Sequence, residues 1–378
     1  MAAPVDVLFN TDGAPANPYA RDKSFWAGYL KGRPQAPDAF FERIYEYHAS
    51  HGGHFGLIHD AGAGVAPHAR RLKQKFEHVI VSDITLENVQ QASERLGPEG
   101  FIYRTAKLED AEGIKPGSVD MFFAATCMHF CDLELAQKAI AQQLKPGGTF
   151  VCAGYGVAVF ADEDVNTIAE KFWFEALRVS LRHAPSPEVA AIKLQRRGRA
   201  HADYDFARTD EEYFERGALR IKLISPPVGT EVWYKMLPPD LAEAGKYERS
   251  SAGPNDVHCV EEMQGWAFET DLQGIKDQLA SLAFLKEEPE VLEGLWREME
   301  ETMKDGRRTK QAAKPKPTTA EWKAFSDGLF TSMLDMPAIP VPEHLRASAH
   351  ARGGDQAVAE LEAKFSTMQE KYVSEHQL

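Results

Sequence analysis

Four residues carry the strongest chemical signal in the sequence: Asp60, Gly62, Gly64 and, 19 positions beyond the last of these, Asp83. The first three lie in LIHDAGAGVAPHARRLKQKF, which starts at Leu57 as an apolar strand and runs directly into a helical pattern. Val65, Ala69, Leu72 and Phe76 mark the buried face of that helix. Glycines in a strand-to-helix turn let the backbone approach a ligand with no side chain between, and the N–H groups at a helix start have no partner of their own. Asp83 closes the next strand, HVIVSD, where a carboxylate can accept hydrogen bonds from both hydroxyls of a ribose. A glycine pair alone is a turn and a strand-end Asp alone is a helix cap. Their joint spacing inside a βαβ pattern points to a nucleoside cofactor.

Charge selects among such cofactors. A dinucleotide fingerprint would continue to a third glycine, but Pro67 stands there, and Asp60 would set a carboxylate against a pyrophosphate. A nicotinamide-dependent dehydrogenase is therefore disfavoured. An amino-acid ammonium reverses the argument, because Asp60 can hold a positive amino group directly or through water. S-adenosylmethionine supplies such a group.

These residues need strands to position them. Short apolar runs at 56–60, 78–83, 100–104, 118–125 and 148–154 alternate with helical stretches, as in a parallel sheet covered on both faces. Two helices precede them, in FWAGYLKG and PDAFFERIYEYHASHG, the second with Phe40, Ile44 and Tyr47 on one stripe and Gly52 and Gly53 as its stop. After Gly156 the alternation lapses. A cap is expected over 157–245: Asp162 opens a helix through Val165, Ile168, Phe172 and Leu177, Ser186 with Pro187 opens a second, and Thr209 with Glu212 forms a capping box for a third. The stretch LRIKLIS at 219–225 alternates as a strand. Further strands are expected near 246–251 and 324–336, a helical stretch over 271–304, a polar loop at 305–317 and a surface helix over 354–374.

Residues 25–156 resemble a class I S-adenosylmethionine-dependent methyltransferase, and specifically the fungal group related to trans-aconitate methyltransferase. The resemblance rests on YLKGRPQAPDAFFERIYEYH as entry helices, DAGAG as first cofactor motif, SDI as ribose motif, SVDMFFAATCMHF as fourth strand with its signature, and LKPGGTF as the turn into the fifth strand. It implies an α/β fold with a doubly wound, mostly parallel seven-stranded sheet (Rossmann-like) and a helical cap insertion. The implied divisions are 1–55 for an arm and entry helices, 56–156 for the cofactor core, 157–245 for the substrate cap and 246–378 for completion of the sheet.

By the same resemblance, Tyr29 and Arg33 close over the methionine end, and Ala61 and Ile84 lie beside the first and second motifs. Ala106 and Lys107 flank the adenine, and Thr126 and Cys127 line the sulfonium. The chain reads RTAKLED where relatives carry an acidic residue in the adenine loop, so Glu109 or Asp110 can substitute; it has Phe130 where relatives have Trp. The implied activity is methyl transfer to O, N or C of a small metabolite, a carboxylate or secondary metabolite among them, with S-adenosylhomocysteine as product. The alternative is a protein of the same fold that binds the cofactor in a regulatory or repurposed role.

His129, just past the fourth strand, is the candidate general base, against a packed, hydrogen-bonded histidine. Methyl transfer asks chiefly for alignment of a nucleophile with an already activated methyl, and a carboxylate or phenolate needs no base. The cap offers Phe172, Trp173, Phe174, Arg178, Arg182, His183 and His201 as pocket candidates. The RRGR run at 196–199 is either an anion grip or an exposed helix end.

Bulk properties narrow the partners. With 57 acidic against 43 basic residues, the net charge of −14 repels phosphate backbones, which disfavours nucleic acid. Cys127, Cys131, Cys152 and Cys259 lack the spacing of a disulfide framework or a zinc site, so no metal is expected and a reducing cytoplasm fits. No stretch approaches the roughly 18 apolar residues of a membrane span, and the expected partner is a small-molecule methyl acceptor.

Overall fold

The structure is a computed structural model and describes residues 23–33, 35–154, 158–160, 162–201, 210–224, 237–241, 255–263, 265–282 and 288–309, with Gln356 and Ala359. Residues up to Arg308 belong to one compact unit and those from Thr309 onward to a second.

Five strands, β1 (Leu57–Ala61), β2 (His78–Asp83), β3 (Phe101–Thr105), β4 (Val119–Ala125) and β5 (Leu144–Ala153), form one parallel sheet in the order β3-β2-β1-β4-β5. The order reverses between β1 and β4, which creates a crevice at the carboxyl ends of those two strands. The helices are α1 (Lys23–Gly32), α2 (Asp38–Ser50), α3 (Ala69–Lys73), α4 (Leu86–Leu96), α5 (Leu133–Gln143), α6 (Glu163–Arg182), α7 (Pro187–His201), α8 (Leu272–Leu282) and α9 (Pro289–Thr309).

The sheet is buried on both faces because its strands alternate large apolar side chains between two cores. Adjacent Phe122 and Phe123 on β4 are both fully buried, the first in a cluster with Val119, Met128 and Ile140, the second with Phe41, Ile58 and Leu72. Truncating either ring to Ala would cost about 3–5 kcal/mol. A third core joins α6 to α8 and α9 through Phe172, Trp173, Leu279 and Met299.

Several expectations are corrected. The main sheet has five strands among the described residues, not seven: LRIKLI pairs instead with Val257–Glu262 as a separate parallel ribbon, β6 (Leu219–Ile224) and β7. The strands expected at 246–251 and 324–336 lie outside the described residues, as does most of 354–374. The buried stripe of α2 is Phe41, Tyr45 and His48, one position along from the stripe expected. Val65, Ala69, Leu72 and Phe76 are all buried, but the helix among them is only Ala69–Lys73, since Pro67 has no N–H to give and Ala66 has a φ of 56°. Thr209 of the expected capping box lies outside the described residues, while residues 211–213 form a turn rather than a helix start, and α9 continues to Thr309 where a loop was expected.

Two of the helices expected beyond Gly156 begin where expected. Asp162 accepts the N–H of Val165 at 3.1 Å to cap α6, and Ser186 Oγ accepts that of Val189 at 3.3 Å at the start of α7.

Candidate functional site

The switch-point crevice is built around the turn after β1. Gly62 and Gly64 have φ values of 61° and 58°, the left-handed region that L side chains resist. Their faces are also occupied: a Cβ on Gly62 would stand 2.6 Å from Cβ of Cys127, and one on Gly64 2.7 Å from the Trp26 indole.

Asp83 ties this turn to the next strand. One carboxylate oxygen accepts the Gly64 N–H at 2.8 Å; the other accepts the Thr85 N–H at 2.9 Å and the Asn88 amide at 3.1 Å. Burial raises its pKa, opposed by those donors. Asn88 in turn accepts the Trp26 indole N–H at 2.9 Å, so α1 is fastened over the turn. Arg95 of α4 grips the loop from the other side, donating to the carbonyls of Val65 and Ala66. Between α1 and α4 runs an open groove of about 300 Å³ whose lining includes Trp26, Leu30, Val65 and Arg95.

Asp60 is 2 % exposed, and its Oδ2 has no hydrogen-bond partner among the described residues. Burial pushes its pKa up to about 8, a rise that Arg95 opposes and Asp83 assists. A buried carboxyl oxygen with nothing to accept is costly unless something supplies a donor. A cationic amino group meets that need, so the residues present fit a cofactor with an amino-acid tail.

The remaining expected positions distribute as follows. The Ala61 carbonyl accepts the Cys127 thiol at 3.3 Å, and burial holds that thiol strongly protonated. Thr126 has a φ of 55°, unusual for a β-branched residue and a form of strain that concentrates at functional sites. Ile84 is half-buried directly after Asp83, and the Ala106 N–H donates to the Asp83 carbonyl at 3.0 Å. Lys107 gives its carbonyl to the Asp110 N–H. Glu109 and Asp110 are engaged elsewhere, with the Asp132 N–H and with Arg104. On α1 the Tyr29 ring lies under the Arg33 guanidinium, 4.8 Å from its centroid.

His129 occupies a single 3₁₀ turn, Met128–Phe130, at the carboxyl end of β4. Burial and then Arg197, Arg196 and Arg199 lower its pKa to about 3, so the ring is neutral. The RRGR run is thus not an exposed helix end: Arg196 lies over the Phe130 ring at 5.4 Å, Arg197 over the Trp173 ring at 5.8 Å, and Arg199 donates to the Cys131 carbonyl at 3.1 Å. Other residues offered as pocket candidates serve packing or ion pairing. Phe172 and Trp173 are core, Arg178 binds Glu175 and Asp240, and Arg182 and His183 both bind Glu288. The His201 side chain lies outside the described residues.

Trp26, Asn88 and Arg95 were not singled out from sequence. Trp26 reaches its partner across 62 residues, a pairing that no local spacing reveals.

A family described as a methyltransferase domain matches residues 59–152, the span that contains Asp60, both turn glycines and Asp83. A methyltransferase of Claviceps purpurea is 46% identical over 289 residues, covering 76% of this chain and 89% of that one. The chain belongs to the methyltransferase family. Another relative, methyltransferase AacuQ of Aspergillus aculeatus, is 44% identical over 288 residues, covering 76% of this chain and 90% of its own. A type II methyltransferase structure from Anaeromyxobacter dehalogenans is similar at 27% identity and a TM-score of 0.34, covering 42% of this chain and 62% of that one. The methyltransferase described here uses S-adenosylmethionine. Among its described residues no group of His, Cys, Asp or Glu is placed to hold a metal, and no helix is long and apolar enough to cross a membrane.

Proposed function

We propose that this methyltransferase transfers the methyl group of S-adenosylmethionine to a small fungal metabolite, with residues 157–245 selecting the acceptor. The observation that carries the cofactor placement is the orphaned Oδ2 of Asp60 beside the glycine turn. In this reading Asp60 takes the amino group and the backbone of Ala61, Gly62 and Gly64 lies against the methionine portion. Asp83, whose carboxylate already accepts from the Gly64 and Thr85 N–H groups and the Asn88 and Thr85 side chains, takes the ribose hydroxyls by exchanging or sharing some of these donors. Ile84, Ala106 and Lys107 flank the adenine, Tyr29 of α1 and Arg33 just beyond it close over the methionine end, and Thr126 and Cys127 border the sulfonium.

The cofactor supplies an activated methyl on sulfur; the chain's task is to align an acceptor and keep out water. His129 is neutral at neutral pH and so has one ring nitrogen free of a proton, but burial and then the three arginines make it a weak base. Its role is to shape the acceptor side of the crevice, and an acceptor that arrives already ionised fits best.

The test is titration of wild type and Asp60→Asn with S-adenosylmethionine. Retained affinity in the variant would remove Asp60 from the amino-group site.

A further inference from the structure

We propose that Asn88 is a positioning residue that links occupancy of Asp83 by the cofactor's ribose to the seating of α1 over the methionine end. The proposal rests on the ribose placement given above and adds the residue through which one end of the cofactor site acts on the other.

The Asn88 side chain is buried, 2 % exposed, between two groups that constrain its amide in opposite senses. The Trp26 indole N–H donates, so the amide oxygen faces it, at 2.9 Å; the Asp83 carboxylate accepts, so the amide nitrogen faces that, at 3.1 Å. One orientation of the amide serves both contacts, and each contact fixes it for the other. The same carboxylate holds the Gly64 N–H at 2.8 Å, and the Trp26 ring covers the open face of that glycine. Trp26, Asn88, Asp83 and Gly64 thus form a closed circuit in which the ribose acid and a residue of α1 share one buried amide.

The circuit continues along the helix. The Tyr29 ring meets the Trp26 indole edge-on, with centroids 5.1 Å apart, and lies 4.8 Å under the Arg33 guanidinium. Tyr29 and Arg33 are the two residues placed at the methionine end. None of the ten residues of α1 is buried, so the helix is held to the core by partly exposed contacts, the Trp26 bond to Asn88 among them. A carboxylate that turns to take the ribose hydroxyls therefore moves the amide, the indole and the residues that close the site. Linkage makes the effect reciprocal: a seated Trp26 strengthens ribose binding by the factor by which ribose binding seats Trp26.

The experiment measures, by calorimetry on the full chain, the binding of S-adenosylhomocysteine and of its 2′-deoxy analogue. Wild type prefers the ribose form by tenfold or more. Asn88→Leu lowers that preference at least threefold. So does Trp26→Phe, which removes the indole N–H and keeps an aromatic ring over Gly64, and the double variant loses no more than Asn88→Leu alone. Lys23→Gln, which breaks the exposed pair of α1 with Glu94 at 2.7 Å, keeps the wild-type preference. A packing role alone weakens both ligands equally. Equal weakening, an unchanged preference in Trp26→Phe, or additive losses in the double variant overturns the proposal. Trp26→Phe decides alone if Asn88→Leu does not fold. Retained preference in every variant removes the proposal and leaves the ribose placement standing. Wild type that binds S-adenosylhomocysteine without favouring it over the 2′-deoxy form removes both, and wild type that binds neither contradicts the cofactor reading as well.

Discussion

Asp83 and Gly64, 19 positions apart in sequence, are joined by a hydrogen bond of 2.8 Å from the glycine N–H to the carboxylate. The strand-end acid expected to read a ribose therefore also shapes the turn that must admit the cofactor, and binding and local stability are coupled through one side chain.

Asp83→Ala strands the buried N–H groups of Gly64 and Thr85. The variant is expected to lose roughly 2 kcal/mol or more of stability, together with at least tenfold in cofactor affinity. Denaturant unfolding with and without S-adenosylhomocysteine separates the two effects. An unaltered ligand response would place the ribose elsewhere.

The contact of Trp26 with Gly64 gives a two-variant prediction. Gly64→Ala incurs both the left-handed backbone cost, about 1–2 kcal/mol, and a collision with the indole at 2.7 Å. In a Trp26→Ala background only the backbone cost should remain. A double-mutant cycle measures the difference, and strict additivity would show that Trp26 does not rest on the turn.

Protonation of Asp60 makes cofactor affinity pH-dependent. Free, the group titrates at about 8 and is mostly neutral at pH 7; a bound ammonium favours the ionised form. Binding then releases a proton, and affinity rises by up to tenfold per pH unit below 8. Calorimetry in buffers of different ionisation enthalpy detects the released proton, and Asp60→Asn should abolish it.

His59 predicts an acid-labile fold. Its ring is 2 % exposed between Gln143 and Ser82, at 2.7 and 2.6 Å. The Gln143 amide nitrogen is committed to the Ala139 carbonyl, so its oxygen faces the ring and accepts the Nδ1–H, which leaves Nε2 to accept the Ser82 hydroxyl in the neutral ring. Burial lowers its pKa from 6.5 to about 4. The unfolded chain takes up the proton first as pH falls, so stability is complete above 6.5 and declines toward 4, by about 3 kcal/mol over the window. Asp60 acts oppositely: neutral in the fold and ionised when unfolded, it removes stability as pH rises from 3.8 to 8. Thermal unfolding across pH 4–7 should show His59→Gln with a shallower acid limb than wild type.

How far the sequence carries can be seen at particular residues. β2 and β4 were legible because runs such as HVIVSD and VDMFFAA are apolar without alternation, the mark of strands buried on both faces. Asp60, Gly62, Gly64 and Asp83 were legible because one βαβ unit fixes their spacing. Trp26 and Arg95 were not, since each reaches the turn by packing of distant helices. The strand LRIKLI was visible, but its partner was not: pairing with Val257–Glu262 is a non-local choice that periodicity leaves open. The RRGR run shows the same limit, because the 3.6-residue period places arginines on a helix without saying that the helix packs on residues 128–130.

The central claim is that the glycine turn between Asp60 and Asp83 holds S-adenosylmethionine. Calorimetric titration of the full chain with S-adenosylmethionine, S-adenosylhomocysteine and NAD tests it most directly. The account predicts micromolar binding of both sulfur nucleosides and no heat from NAD; silence from the sulfur nucleosides, or preference for NAD, would contradict it.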